Sequence, residues 1–211
     1  MKKGILLILS GFAGSGKGTI VKELLSKYDN YALSVSATTR SPRPGEENGR
    51  EYFFKTVEEF EAMIAADELL EYARYVDNYY GTPADYVEKM LKDGKDVILE
   101  IEQQGALQIK KKRPDALLLF VMPPSVEEVY NRLKKRGTEN EETIMKRMRQ
   151  GAREAEVIGQ YDYLIINDDL TECVGQVHNT IQSAKYATVR NRDLIEGVAG
   201  EFAQFLGRHA G

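Results

Sequence analysis

The chain has one cysteine, Cys173, and two histidines among 211 residues. A single thiol excludes an internal disulfide framework, and two histidines without neighbouring cysteines offer no zinc spacing. Thiol and zinc chemistry are therefore not expected, and no side-chain metal set is assigned. No apolar stretch approaches the ~20 residues needed to cross a bilayer, and Met1-Lys2-Lys3-Gly4 runs directly into the first apolar segment. The expectation is a soluble, cytoplasmic protein with no membrane partner. Positive charge is outnumbered as well. Lys and Arg total 29 against 33 Asp and Glu, a formal net charge of −4 with a pI near 5.4. This balance argues against a generic polyanion binder, so nucleic acid is not expected as a partner, although local cation clusters can still grip a small phosphate ligand. No internal repeat or low-complexity tract is present.

What the chain does have is length for one compact domain with a substantial core, carrying small inserted subdomains. Short apolar strand candidates recur at Ile5 to Ser10, Val97 to Ile101, Leu117 to Val121 and Tyr163 to Ile166, with amphipathic helical stretches between them. Such alternation predicts an α/β fold, a parallel central sheet flanked by helices. Ligands in these sheets collect beyond the carboxyl ends of the strands. Three segments fall there: a glycine-rich turn after the first strand, Glu100 to Gly105, and Asn167-Asp168-Asp169. The tail after Tyr186 reads as helical around Asp193 to Leu206, with no function legible in it.

The glycine-rich turn is Gly11-Phe12-Ala13-Gly14-Ser15-Gly16-Lys17-Gly18-Thr19, between an apolar strand and the helix-like Thr19 to Leu25. Glycines let the backbone wrap a phosphate, successive amides and the helix N-terminus aim donors at it, and Lys17 adds a mobile positive charge. The segment reads as a nucleoside triphosphate cradle. It matches GxxxxGK[ST] except at the last place, where Gly18 stands and Thr19 carries the hydroxyl one residue later. Ordinary triphosphatases use that hydroxyl as a Mg²⁺ ligand. Here the expectation is Mg²⁺ held mainly by phosphates and water.

Between Tyr31 and Tyr80 the texture changes to short alternating runs, Pro and Gly punctuation and many tyrosines, which predicts a strand-rich insertion. Within it, Arg40 and Arg43 sit three apart among prolines that stiffen their loop. Guanidinium forks suit phosphate oxygens, and a stiff loop loses less entropy on binding. Tyr52 and Tyr80 can add phenolic donors.

The motif SxTTRxPRxGE from Ser36 to Glu46 opens a train of further motifs. Asn48-Gly49-Arg50-Glu51-Tyr52-Phe53-Phe54, Leu70-Glu71-Tyr72-Ala73, Asn78-Tyr79-Tyr80-Gly81-Thr82 and Asn167-Asp168-Asp169 follow in order. On these residues the chain, from about Ile5 to Lys185, resembles the guanylate kinase family. The resemblance implies a P-loop kinase with a core of about residues 1–32, 83–124 and 160–211, a GMP-binding subdomain of about 33–82 and a helical lid of about 125–159. It further implies that Ser36, Glu71 and Thr82 face guanine, that Arg40, Arg43, Tyr52 and Tyr80 hold the phosphate of GMP, and that Asn167 belongs to the donor nucleotide's site. The chemistry is consistent. Guanine offers two donors, N1–H and the exocyclic amine, to an acceptor-only carboxylate such as Glu71, whereas adenine N1 would confront it with a lone pair. A site built on required hydrogen bonds rejects the unmatched base strongly.

One stretch departs from the family pattern. Ile98-Leu99-Glu100-Ile101-Glu102-Gln103-Gln104-Gly105 stands where the family carries a DIDxQG-like pattern, with glutamates for both aspartates. Each keeps its charge and gains a methylene, so Glu102 can still accept from the guanine amine and Glu100 can still meet a metal-bound water.

Ser125-Val126-Glu127-Glu128 is a capping-box signature, starting a helix whose Val126, Val129, Tyr130 and Leu133 are expected to face the body. After Gly137, Thr138-Glu139-Asn140-Glu141 starts a second helix bearing Arg147, Arg149 and Arg153, and the two make a hinged flap. Phosphoryl transfer asks for positioning and charge neutralisation, so cations should close around the γ-phosphate. Lys17 meets that demand, and the resemblance adds Arg132, Arg136 and Arg147, with Arg136 near the adenine or its phosphates. The expected reaction is ATP + GMP ⇌ ADP + GDP, with dGMP as a further acceptor and a homo-oligomer left open. Two alternatives remain at this stage. One is another nucleoside monophosphate kinase, because GKGT also resembles the adenylate kinase loop. The other is a protein-binding module that has lost catalysis.

Overall fold

The computed structural model describes residues 3–75, 77–137 and 139–209. In chain order the elements are β1 (Leu6–Gly11), α1 (Lys17–Lys27), β2 (Tyr31–Leu33), β3 (Ser36–Thr38), β4 (Tyr52–Phe54), α2 (Val57–Ala65), β5 (Leu69–Tyr75) and β6 (Asn78–Pro83). There follow α3 (Ala84–Lys92), β7 (Asp96–Glu100), α4 (Gln103–Lys112), β8 (Leu117–Met122), α5 (Val126–Lys135), α6 (Glu141–Ala155), β9 (Tyr163–Ile166), α7 (Leu170–Ala184) and α8 (Arg192–His209).

Five strands form one sheet in the order β2-β7-β1-β8-β9, and every pairing in it is parallel. The near-continuous apolar runs of β1, β7 and β8 follow from burial on both faces, whereas edge strand β9 buries only Ile165. On β1, Leu7 and Leu9 pack with Ile20, Leu24 and Val177 of α1 and α7. Leu6 and Ile8, one residue out of phase, pack with Val87, Leu91 and Ile109 of α3 and α4. Tyr31–Leu33 pairs with β7 at the edge of this central sheet and not with the strand-rich insertion. Its three residues are too few to display a period.

The second sheet, β4-β3-β6-β5, mixes one parallel pair, β3 with β4, and two antiparallel ones. A small core of Ala37, Phe60 and Leu69, with Phe53 and Tyr79 against it, joins this sheet to α2. The register of β5 on β6 shifts between Leu69 and Tyr72. Such a bulge re-aims side chains, and Leu69, Leu70 and Glu71 are all buried where strict alternation would expose one.

Helices α5 and α6 turn about Gly137, whose φ of 64° lies in the left-handed region that favours glycine. Ser125 caps α5, its hydroxyl accepting from Glu128 N, and the Asn140 side chain caps α6 by accepting from Thr143 N. Thr138, read above as part of the second helix's start, lies outside the described residues. Val129 and Leu133 are buried as expected, but Val126 is 68% exposed and does not face the body. It stands in the first turn, on the rim of a small apolar gap between α5, α6 and Phe12.

Candidate active site

The loop from Gly11 to Gly16 joins the C-terminal end of β1 to the N-terminus of α1, where the helix dipole and free amides favour an anion. Gly14 and Gly16 take φ of 82° and 91°. A Cβ at Gly16 would lie 2.4 Å from Nδ2 of Asn167, which itself donates to the Ser15 carbonyl at 2.8 Å. Lys17 Nζ donates to the carbonyls of Gly11 (2.7 Å) and Phe12 (3.2 Å). Phe12 turns its ring inward, edge-on to Phe120 with centroids 5.0 Å apart, and Ser15 is fully buried. Those two residues thus offer the site their backbone. Gly18 and Thr19 are exposed on the first turn of α1.

A cavity of about 300 Å³ opens beside the loop, lined by Gly11, Ala13, Lys17, Glu100, Ile101, Glu102 and the α6 residues Arg147, Gln150 and Glu154. A second, of about 330 Å³, is lined by Ser36, Tyr52, Glu71, Tyr80 and Gly105, and again by Glu100, Ile101 and Glu102. The two cavities therefore meet on the segment that follows β7. That segment is tied to β1 by Ser10 Oγ, which donates to Ile101 O at 2.8 Å.

At the floor of the second cavity Glu71 is 8% exposed, and Thr82 Oγ1 donates to its carboxylate at 2.7 Å. Burial pushes the Glu71 carboxyl above the usual range, and the Thr82 hydrogen bond pulls it partly back. Gly105 of α4 makes room for this group, since a Cβ there would stand 2.9 Å from Glu71 Oε2. At the cavity's outer side Arg40 Nη2 donates to both oxygens of Glu46, at 3.0 and 2.9 Å. The guanidinium lies 5.4 Å from the centroid of Tyr52, whose ring is 6.0 Å from that of Tyr80. Arg43 is exposed, and its backbone N–H donates to Glu46.

Comparison with known proteins shows the family. The Guanylate kinase family model matches residues 3–184. The chain belongs to the guanylate kinase family. Among curated guanylate kinases it is 49% identical to that of Caldanaerobacter subterraneus subsp. tengcongensis over 193 residues, 92% of this chain and 94% of that one. It is 52% identical to that of Bacillus subtilis over 174 residues, 82% and 85% of the two chains. The solved structure of guanylate kinase from Anaplasma phagocytophilum superposes with a TM-score of 0.69 at 32% identity, over 92% of this chain and 95% of that one. Enzymes of this family phosphorylate GMP to GDP with ATP as the donor, and the chain is an enzyme of this class.

Within this guanylate kinase fold the arginines of α5 and α6 take different positions. Arg132 Nε donates to Glu128 at 2.6 Å, and its Nη2 donates to the Asn167 carbonyl at 3.0 Å. Arg147 lines the cavity beside the glycine-rich loop and pairs with Glu139, its Nε donating at 2.7 Å. Arg136 caps the C-terminus of α5 and is exposed, as are Arg149 and Arg153. Burial lowers the Lys17 pKa, while Glu100, Glu154 and Glu102, in decreasing order, raise it back. Burial likewise raises Glu100 and Glu154, against the pull of Lys17. Sequence reasoning missed Glu154 and Gln150, and read Gly105 only as the end of the Glu100 to Gly105 stretch. Glu154 and Gln150 lie four apart on one face of α6, a spacing that could have marked them as a pair.

Proposed function

We propose that this chain transfers the γ-phosphoryl group of ATP to GMP, ATP + GMP ⇌ ADP + GDP. The observation that carries the reading is the meeting of the two cavities on Glu100 to Glu102, one headed by the phosphate loop and Lys17, the other floored by Glu71. Two anionic nucleotides placed there lie with their phosphates toward one another.

In this reading the donor phosphates bind the amides of Gly11 to Thr19 and Lys17, over the floor braced by Asn167. Lys17, with Arg132, Arg136 and Arg147 from the lid, offsets the charge that spreads over the transferring group. Glu71 accepts from the two guanine donors, Ser36, Thr82 and Glu102 complete the base contacts, and Arg40, Arg43, Tyr52 and Tyr80 hold the acceptor phosphate. That phosphate is already anionic, so no side chain needs to act as a strong base. The groups assigned to the base make no demand on the ribose 2′ position, so dGMP is a second acceptor. Closure of α5 and α6 excludes water, which would otherwise take the phosphoryl group.

The residues present fit Mg²⁺ carried by the nucleotide. Among the described residues no group of three or more His, Cys, Asp or Glu is placed to hold a metal alone. Mg²⁺ typically binds through one or two carboxylates together with substrate phosphates and water. Glu100 fits as the carboxylate, its oxygens 3.7 and 3.8 Å from where a Cβ on Gly18 would stand. Mg²⁺ would supply charge neutralisation at the nucleotide's phosphates.

The test is phosphate transfer by Lys17→Ala beside the unaltered chain. Loss of transfer with GMP binding retained supports the reading. Equal activity in both would remove Lys17, and an inactive unaltered chain would favour a binding module.

A further inference from the structure

Helix α8 lies beyond residue 184, where the match to the catalytic domain ends. It is 18 residues long and none of them is buried. Its apolar side chains are not scattered. Leu194, Ile195, Val198, Phe202, Phe205 and Leu206 are 44–65% exposed, and at 100° per residue they fall on one side of the helix. Ile195, Val198, Phe202 and Phe205 repeat at intervals of three, four and three, the spacing of a coiled-coil seam. The opposite side carries Gly197, Gly200 and Gly207, where an added Cβ would meet nothing within 4 Å. Each of these costs the helix about 1 kcal/mol relative to alanine, so its apolar face must be packed for the helix to hold.

We propose that α8 is a dimerisation helix, its apolar face covered by the same face of α8 from a second copy of this chain, with the two helices antiparallel. Three observations favour that occupant. The seam is self-complementary, and the hollow on its flank, lined by Val198, Phe202 and Phe205 with Glu201, Gln204 and Arg208 along its polar side, can receive a side chain from a facing helix. The six apolar side chains, 44–65% exposed, would be covered together and form the apolar core of an interface to which each partner of a standard complex contributes ~800 Å². Charge also discriminates. Asp193, Glu196 and Glu201 outweigh Arg192 in the first part of the helix, whereas Arg208 and His209 end it. Antiparallel pairing sets acidic starts beside basic ends and opposes the helix dipoles. The same charges argue against a membrane surface, because interfacial helices carry Lys and Arg along their polar face.

The test is the mass of the full chain by sedimentation at micromolar concentration. The expected mass is twice 23.8 kDa. Phe202→Glu combined with Phe205→Glu is expected to give a monomer with unchanged phosphotransfer, because both side chains are exposed and outside the nucleotide cavities. Phe202→Leu, which keeps the seam apolar, is expected to remain dimeric. A nitroxide attached at residue 199, which flanks the seam near its middle, should approach its partner's closely, and one at residue 208 should lie far from its own. A monomeric full chain overturns the proposal, as does a dimer that survives both glutamates. Equal label distances at the two positions overturn the antiparallel arrangement. A monomer that floats with phosphatidylcholine–phosphatidylserine vesicles would assign the face to a membrane instead.

Discussion

The side-chain amide of Asn167 donates to the main-chain carbonyl of Ser15 at 2.8 Å, across 152 residues of sequence. Gly16 makes the approach feasible by having no Cβ to meet that amide. The contact pins the phosphate loop from below. The carbonyl of Asn167 meanwhile accepts from Arg132 on the lid. Asn167→Asp keeps the shape but removes the donor and sets a carboxylate under the donor phosphates. The KM for ATP should rise about tenfold or more, since an unpaired buried group costs about 1–3 kcal/mol. The KM for GMP should stay within about twofold. Steady-state kinetics with each substrate varied in turn checks this.

Gly105 and Glu71 form the corresponding contact on the acceptor side. In Gly105→Ala the new methyl group would stand 2.9 Å from Glu71 Oε2, so the carboxylate must move away from its bond with Thr82. Small misplacements of a binding group carry large kinetic costs. We expect kcat/KM for GMP to fall about tenfold with the KM for ATP unmoved.

Acidity bears on the same carboxylate with a definite sign. Burial raises the folded-state pKa of Glu71 above its ordinary value. A raised pKa contributes stability that is fully present below the unfolded value and is lost as pH rises through the folded one. At neutral pH the buried charge is therefore a cost. Glu71→Gln, whose carbonyl oxygen can still accept from Thr82, should melt at a higher temperature than the unaltered chain at neutral pH and lose that advantage in acid. Binding runs the other way, because only the ionised carboxylate accepts both guanine donors. The affinity for GMP should weaken on acidification at a pH above the ordinary glutamate range, and this acid limb should be missing from Glu71→Gln. Melting curves and GMP titrations across pH check both.

Away from the nucleotide cavities, Asp96 tests the scaffold. It is fully buried and accepts from Ile5 N at 3.0 Å, Asn30 Nδ2 at 2.8 Å and Lys185 Nζ at 2.7 Å. Asp96→Ala strands all three donors, one of them a cation. The expected loss is about 3–5 kcal/mol, read by denaturant unfolding, with KM values unchanged in the folded fraction.

Several of these residues were legible in the sequence and others were not, for identifiable reasons. The phosphate loop announces itself because its chemistry needs a contiguous backbone, so Gly11 to Thr19 declare the mechanism locally. The inner strands of the central sheet are equally plain, since burial on both faces leaves apolar runs such as Leu6 to Leu9. Glu71 carries no local signal, being one carboxylate in a tyrosine-rich strand, and it emerged through its resemblance to a known family. The bulge that buries it beside Leu70 appears only in the register of β5 on β6. Glu154 looks like any solvated charge on a helix until α6 is folded toward Lys17. Gly105 reads only as the end of the Glu100 to Gly105 stretch until the Glu71 carboxylate is seen against it. In each such case the meaning belongs to a partner far away along the chain.

The account rests on a carboxylate that selects the acceptor by its base, and the direct measurement is ADP release with GMP, dGMP, AMP, UMP and CMP offered separately, for the unaltered chain and Glu71→Gln. We predict turnover with GMP and dGMP, at least about 100-fold lower kcat/KM with the other three, and a collapse of that preference, mostly through loss of GMP use, in Glu71→Gln. Turnover confined to AMP, or GMP kinetics untouched by the substitution, would contradict it.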